Sequence, residues 1–221
     1  RSKLFEFIKA FESIGYEVTY NVLNAADYGV AQGRERTIFI CVRKDVCDAI
    51  GLNVLNLNGV FPVPNSKHIG IEDAIKDVVN DPVEEKMLLD YVEGSFQKKF
   101  IEMLPFRPEK TLHPGLPEFR HLNPKGSCFS IKRPAPHRVC PTLTQMGQQR
   151  TASGVFHYDK NRKLTILEMK RVMGLPEDYE LTGNFDKQAE RIGRMVAPKM
   201  MAAVASSVYE NVIKPYNELR D

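Results

Sequence analysis

The first apolar positions, Leu4, Phe5, Ile8, Phe11 and Ile14, recur at helical spacing and stop at Gly15, which predicts an amphipathic helix. The period then changes. Tyr16, Val18, Tyr20 and Val22 alternate with Glu17, Thr19 and Asn21, the two-residue repeat of a strand. Residues 24–36 are polar and turn-like. Thr37-Ile38-Phe39-Ile40-Cys41-Val42 follows as an unbroken apolar run, the pattern of a strand buried on both faces. The short connection favours antiparallel pairing. Helix, strand, loop and strand in this order predict the edge of an α/β sheet.

Residues 51–68 hold four Asn and two Pro and read as an irregular crossover. A short helix is predicted over Ile71–Val79. Asp81-Pro82-Val83-Glu84 opens another, with an N-cap Asp, Pro at the first helical position and an acid in the first turn. Met87, Leu88, Tyr91 and Val92 give it an apolar face, and Phe96, Phe100 and Ile101 extend the pattern past Gly94. From Pro105 to Asp159 the apolar runs shorten, as in Ser127-Cys128-Phe129-Ser130-Ile131 and Gly154-Val155-Phe156-His157-Tyr158. Frequent Pro and Gly there predict a small β-rich, loop-rich domain. Thr165-Ile166-Leu167-Glu168 is a capping box for a helix that ends at Gly174, with Pro176 beyond. A last helix starts near Pro198, with Met201, Val204, Ala205, Val208 and Val212 as its buried stripe.

A hydrophobic fraction of 43% over 221 residues is enough for a real core. No run approaches the roughly 18 apolar residues of a membrane span. Cys41, Cys47, Cys128 and Cys140 form no C-x-x-C pair, so neither a metal site nor a disulfide framework is expected. The net charge of +3 says less than its distribution. From Arg120 to Arg171 cations abound, and Asp159 and Glu168 are the only acids. That concentration suits a polyanionic partner, or simply a solvated basic face.

The segment Asn24-Ala25-Ala26-Asp27-Tyr28-Gly29-Val30-Ala31-Gln32-Gly33-Arg34-Glu35-Arg36, set between two strands, resembles the Gln-x-Arg-x-Arg block of the DNA cytosine-5 methyltransferases. Two later segments resemble further family motifs in the family's order. These are Arg162–Tyr179, which follows the recognition domain, and Arg191-Ile192-Gly193-Arg194-Met195-Val196-Ala197-Pro198, similar to the C-terminal Gly-Asn-x-Val turn. The resemblance implies an α/β fold: the edge of a Rossmann-like S-adenosylmethionine-dependent methyltransferase sheet plus a small target-recognition domain. It divides the chain into 1–80 (catalytic-domain strands and helices), 81–159 (connecting helices and recognition domain) and 160–221 (helices returning to the catalytic domain).

Such enzymes flip a cytosine out of the duplex, add a thiolate to C6 and so activate C5 toward the methyl donor. The resemblance implies that Arg36 contacts O2 of the flipped base, where a fixed guanidinium stabilises developing charge. Arg34 would line the same pocket, and Gln32 would hold the loop or reach DNA. The plainer alternative makes both arginines surface residues flanking a strand. Arg133, Arg138, Thr142, Thr144, Gln145, Gln148, Gln149 and Arg150 are the candidate double-stranded DNA contacts, because Arg reads guanine and Gln reads adenine in the major groove. His137 lies in the same cluster. Thr142-Leu143-Thr144 looks like the family's Thr-Leu pair at the flipped nucleotide. Lys132, Lys160, Arg162 and Lys163 would serve phosphates. Arg194, Met195 and Val196 are the candidate S-adenosylmethionine contacts. Arg194 stands where the family has Asn, and its side chain could turn outward, meet the donor's carboxylate or mark weak cofactor binding.

The family's N-terminal half carries a Phe-x-Gly-x-Gly cofactor loop, a Pro-Cys nucleophile and a Glu-Asn-Val acid segment, and all three are expected to lie outside this chain. Cys140-Pro141 reverses the nucleophile's order, so Cys140 is read as a packed side chain. The first residue is Arg, which fits a fragment or processed chain. Three arrangements stay open: part of a single-chain enzyme, a subunit of a split enzyme, or a catalytically idle DNA-binding module. A bacterial or phage-like, nucleoid-associated cytoplasmic setting goes with these. RNA is the minor alternative substrate. An isolated chain of this kind is expected to self-associate, or to be rescued by its missing half.

Overall fold

The computed structural model describes residues 2–53, 55–95, 98–126, 130–150 and 153–220. Helix α1 (Ser2–Ser13) leads into strand β1 (Tyr16–Asn24), which pairs antiparallel with β2 (Glu35–Arg43) from Tyr16↔Arg43 to Asn24↔Glu35. Asn24 ends β1 for a chemical reason. Its side chain accepts from the backbone N–H of Ala26 and of Arg34, closing the connecting loop over a short 3-10 turn, Ala25–Tyr28. Gly29 leaves that turn at φ 73°, the left-handed conformation that glycine adopts without steric cost.

The two faces of this ribbon differ. Ile40, Val42 and Leu23 point into the main core, with Ile38 packed at its edge. Phe39 and Tyr20 share the other face with Phe7 and Phe11 of α1, at ring separations of 4.5–5.7 Å within this cluster. That face is only half covered: Tyr20 and Val22 are exposed, and so are Phe5 on α1 and Ile14 just after it. The expectation of burial on both faces is therefore corrected. One helix lies over two strands and no further layer closes the edge among the described residues.

Helix α2 (Lys44–Ile50) caps the ribbon, and the 51–68 stretch is irregular as expected, apart from a 3-10 turn at Leu57–Val60. Helix α3 (Ile71–Ile75) stops short of the expected Val79. Two β-branched valines follow, and Asn80 is engaged elsewhere, on Thr165 and Glu168. Helix α4 (Pro82–Glu93) begins on Asp81, whose side chain accepts from Val83 N–H. It ends at Gly94, and α5 (Lys98–Glu102) is a separate element.

The recognition region is loop-rich but barely β. Its strands β3 (Ile131–Lys132) and β4 (Gly154–Val155) are two residues each and parallel. The Ser127–Phe129 part of the expected strand, with Cys128, lies outside the described residues. A second, small core of Val92, Phe100, Ile101, Leu104, Ile131 and Phe156 supports this region. Leu143, Val155 and Tyr158 belong instead to the main core.

The capping box forms as read: Thr165 and Glu168 bond each other's backbone at the start of α6 (Ile166–Met173), and Gly174 ends it at φ 74°. Helix α7 (Phe185–Arg194) was not expected. Its apolar side is only Phe185, Ala189 and Ile192, spaced at four and three among charges. Helix α8 (Pro198–Val208) continues through a π segment, Tyr209–Ile213, into α9 (Lys214–Glu218). The buried stripe is Met200, Val204 and Val212; Met201 and Ala205 face out, so that part of the expected stripe is rotated by one residue.

Between α4 and α6 lies a buried ionic knot. The Arg162 guanidinium donates to Glu168 at 2.8 Å and to Glu85 at 2.6 and 2.9 Å, and has no solvent exposure. His157 sits 3.7 Å from Glu168 and accepts the Asp159 N–H on Nδ1. Burial draws its imidazole down to about 4, reinforced by Arg162 and Lys160 and opposed by Glu168 and Asp159. The sign follows. Below its ordinary value near 6.5, the unfolded chain takes up the proton first, so stability present above that pH is lost as pH falls toward 4. The effect is worth up to about 3 kcal/mol. A His157→Asn variant keeps the acceptor for Asp159 and removes the titration. Thermal unfolding between pH 7 and 4.5 is expected to show a clearly shallower loss of Tm in the variant; identical slopes would contradict this.

Candidate functional site

The loop between β1 and β2 is where separated parts of the chain meet. Residues 31–33 lie alongside Cys140: Cys140 N–H donates to Ala31 O at 2.8 Å, Gly33 N–H donates to Cys140 O at 2.9 Å, and Gln32 pairs with Cys140 in parallel. Thr142 Oγ1 donates to Gly33 O at 2.5 Å. Arg34 then turns inward with no solvent exposure. Its Nη1 donates to Leu143 O at 2.8 Å, and its Nη2 to Gly193 O at 2.8 Å and Met195 O at 2.7 Å. Gln32 Oε1 is a longer contact at 3.4 Å. The fork geometry of guanidinium suits this task, since one planar group meets several carbonyls at once. Burial, with Arg36 nearby, pulls Arg34 down to about 10.

Arg36 is different. It sits one residue into β2, half-exposed, with Nη1 on its neighbour's carbonyl, Glu35 O, at 2.7 Å. Arg34 is thus spent on the scaffold, while Arg36 stays only partly buried and bonds no other element of the fold among the described residues. Gly193 completes the junction. A Cβ there would lie 2.6 Å from the carbonyl carbon and oxygen of Thr144 and from Gln145 N, so only glycine lets α7 end against the Thr142-Leu143-Thr144 segment. Beside it lies a cavity of about 340 Å³ lined by Lys132 and the hydroxyl residues Ser130, Thr142, Thr144 and Ser153.

The candidate DNA contacts divide sharply. Gln145, Thr144, Arg138, His137 and Arg150 are exposed, and Gln149 and Thr142 partly so. Arg150 is held by Asp186 through its backbone N–H at 2.8 Å and its guanidinium at 2.9 and 3.1 Å. Arg133 is not a surface residue. It is fully buried, donating to the carbonyls of His157 and Lys160 at 2.7 and 2.9 Å and to Asn161 Oδ1 at 2.6 Å. Gln148 is also fully buried. Among the proposed phosphate contacts, Arg162 and Lys163 are buried too, while Lys160 is exposed on Glu85. The physical reason is common to these cations: each finds backbone carbonyls or carboxylates inside the fold that replace water. Lys163 donates to three carbonyls, and burial draws its ammonium down to about 7, with Asp186 pulling the other way.

At the C-terminal turn Arg194 points out and pairs with Glu190 at 3.0 Å. Met195 gives its carbonyl to Arg34, and Val196 is part-exposed. Cys140 is fully buried, and burial pushes its thiol well above the usual range, which removes it as a nucleophile. The tripeptide Glu210-Asn211-Val212 does occur, contrary to expectation. It lies in the π segment, with Glu210 exposed on Lys214 and Val212 buried, far along the chain from the loop of Arg36. Among the described residues no His, Cys, Asp or Glu cluster could hold a metal, and no helix is long and apolar enough to cross a membrane.

The sequence profile of the C-5 cytosine-specific DNA methylases matches residues 1–210. The chain belongs to that family. It is 30% identical over 206 residues to the type II methyltransferase M1.HphI of Haemophilus parahaemolyticus, covering 92% of this chain and 50% of the relative. It is 26% identical to M.NgoFVII of Neisseria gonorrhoeae, covering 92% of this chain and 52% of that protein. The chain spans about half the length of the curated relatives it matches. Among solved structures it shares the α/β fold of the Entamoeba histolytica methyltransferase EhMeth (TM-score 0.54, 12% identity, 94% of this chain and 58% of the other). The S. pombe Dnmt2 methyltransferase is similar at TM-score 0.53 and 13% identity, covering 94% and 61%.

The junction makes one substitution informative. Gly193→Ala forces backbone apart at Thr144–Gln145, and overpacking of this kind costs about 1–3 kcal/mol. Urea unfolding is expected to show a loss in that range or larger. An unchanged midpoint would mean that the two segments do not pack as described.

Proposed function

We propose that the chain is the C-terminal part of a DNA (cytosine-5) methyltransferase, supplying sequence recognition and the base-pocket arginine, while the remaining half supplies the nucleophile and most of the cofactor pocket. The observation that carries this reading is the division between Arg34 and Arg36 within one family motif. Arg34 anchors the loop on three carbonyls, and that leaves Arg36 half-exposed at the start of β2. A guanidinium carried on a loop so anchored would stabilise charge developing on a flipped cytosine ring. Thr142, bonded to the same loop, places the exposed Thr144 and Gln145 beside it, and Arg138, Gln149 and Arg150 extend the surface toward duplex DNA.

Two further observations support a missing half. Neither Phe-x-Gly-x-Gly nor Pro-Cys occurs in the sequence. The aromatic face of the β1–β2 ribbon is open, and a separate apolar groove of about 320 Å³ runs between β2 and the C-terminal helices, past Val46, Val212 and Tyr216. Open edges and apolar faces of this kind are where further sheet layers add. The half could be joined in cis or come as a separate subunit. S-adenosylmethionine would supply the methyl group, and Met195 and Val196 would form one wall of its site.

The test is reconstitution. Purified chain with labelled S-adenosylmethionine and duplex DNA is expected to transfer no methyl group, and adding the complementary N-terminal half should place label on cytosine C5. Label from the chain alone would refute the proposal. In the reconstituted enzyme, Arg36→Ala should lower turnover about 10²–10³-fold, with DNA affinity changed only a few-fold. Equal losses in both would remove Arg36 from the pocket.

A further inference from the structure

The segment from Gly147 to Ser153 has no regular structure of its own among the described residues, yet its neck is closed. A Cβ added to Gly154 would lie 1.6 Å from the Gly147 carbonyl oxygen, so the two backbones touch, and Gly154 adopts φ 123° to allow it. Gly147 N–H also donates to Thr144 Oγ1 at 3.0 Å, which ties the start of the loop to the Thr142-Leu143-Thr144 segment. Inside the neck stands a single ammonium. Lys163 Nζ donates to Gly147 O at 2.9 Å, Gln149 O at 2.6 Å and Ser153 O at 2.5 Å. Three acceptors match the three donors of a charged lysine.

The lysine comes from a firm base. Its neighbour Arg162 is locked between Glu85 and Glu168, and Thr165 caps α6 two residues on. The loop is therefore wrapped around a fixed cation. A second tether lies on its outer side, where Asp186 at the start of α7 holds Arg150. The residues these two tethers hold include Gln149 and Arg150, two of the side chain types suited to reading base edges.

We propose that Lys163 is the positioning residue of the recognition loop: by gathering three of its carbonyls on one buried ammonium, it sets the loop conformation that decides which DNA sequence is read. The specificity half of this rests on the DNA-reading role proposed above; the clasp itself does not. Lys163 is buried beneath the loop, with its ammonium spent on the three carbonyls. Its contribution is shape, and a side chain of equal length without donors cannot supply it.

The experiment compares the chain with Lys163→Met by amide hydrogen exchange, and then compares the sequences each enriches from duplex DNA randomised at its central positions. Exchange within 147–153 is expected to accelerate on the order of tenfold or more in the variant, with α4 and α6 unchanged. The variant should still retain duplex DNA, through its exposed cations, but enrich no preferred sequence. Unchanged protection in the loop overturns the clasp. Faster exchange with an unchanged sequence preference overturns the specificity role. If the unaltered chain enriches no sequence, the DNA-reading role and the specificity half fail together, while the exchange result still decides the clasp. Should Lys163→Met not fold, the lysine-Nζ-labelled chain at pH 6 decides it: one slowly exchanging ammonium resonance supports the clasp, and its absence overturns it.

Discussion

The guanidinium of Arg34 is the point on which the site depends. It meets the carbonyls of Leu143, Gly193 and Met195, from two segments more than 100 residues away in sequence, within 2.7–2.8 Å. Hydrogen bonds from a charged donor are worth about 1.5–3 kcal/mol each, and an uncompensated buried cation costs more than that. The arrangement is therefore all or nothing. With the carbonyls in place both terminal nitrogens are bonded; with one element displaced the charge is stranded. The β1–β2 loop, the Thr142-Leu143-Thr144 segment and the C-terminal turn are consequently held in one geometry, and Gly193 permits the close approach that this geometry needs.

The same device recurs through the loop-rich part of the chain. Arg133 gathers the carbonyls of His157 and Lys160, Lys163 those of Gly147, Gln149 and Ser153, and Arg162 the carboxylates of Glu85 and Glu168. A region poor in strands and helices has many backbone carbonyls without partners in regular structure, and buried cations satisfy them. Its basic composition thus serves two ends. Some cations are internal donors that replace secondary structure. The rest, with Arg138 and Arg150 exposed, remain at the surface.

Sequence patterns revealed the regular elements well where local chemistry decides them. The Asp81 cap and the Thr165–Glu168 box follow from side chains acting on their own backbone, the Gly174 stop from glycine's freedom at positive φ, and the antiparallel ribbon from alternation across a short connection. Helix α7 escaped because three apolar residues among seven polar or small ones leave a thin stripe. The rotation of the α8 stripe was hidden for a related reason, since Met200 and Met201 offer equal apolar choices and only tertiary packing selects the first. The site was legible as a motif and not as geometry. Nothing in the spacing of Arg34 and Arg36 says which one is buried. Arg133, Arg162 and Lys163 look like surface groups in a basic stretch, because their partners are backbone carbonyls and distant acids that no local pattern marks.

The most direct measurement of this account is amide hydrogen exchange across an Arg34→Lys variant. Lysine keeps the charge but lacks the planar fork that serves the three carbonyls. Protection is expected to fall together in three segments, 31–34, 140–145 and 191–197, while α4 and α6, held by Arg162, keep theirs. Loss confined to residues 31–34 would contradict the account, because Arg34 would then be a local feature of its own loop and the site would be assembled by something else.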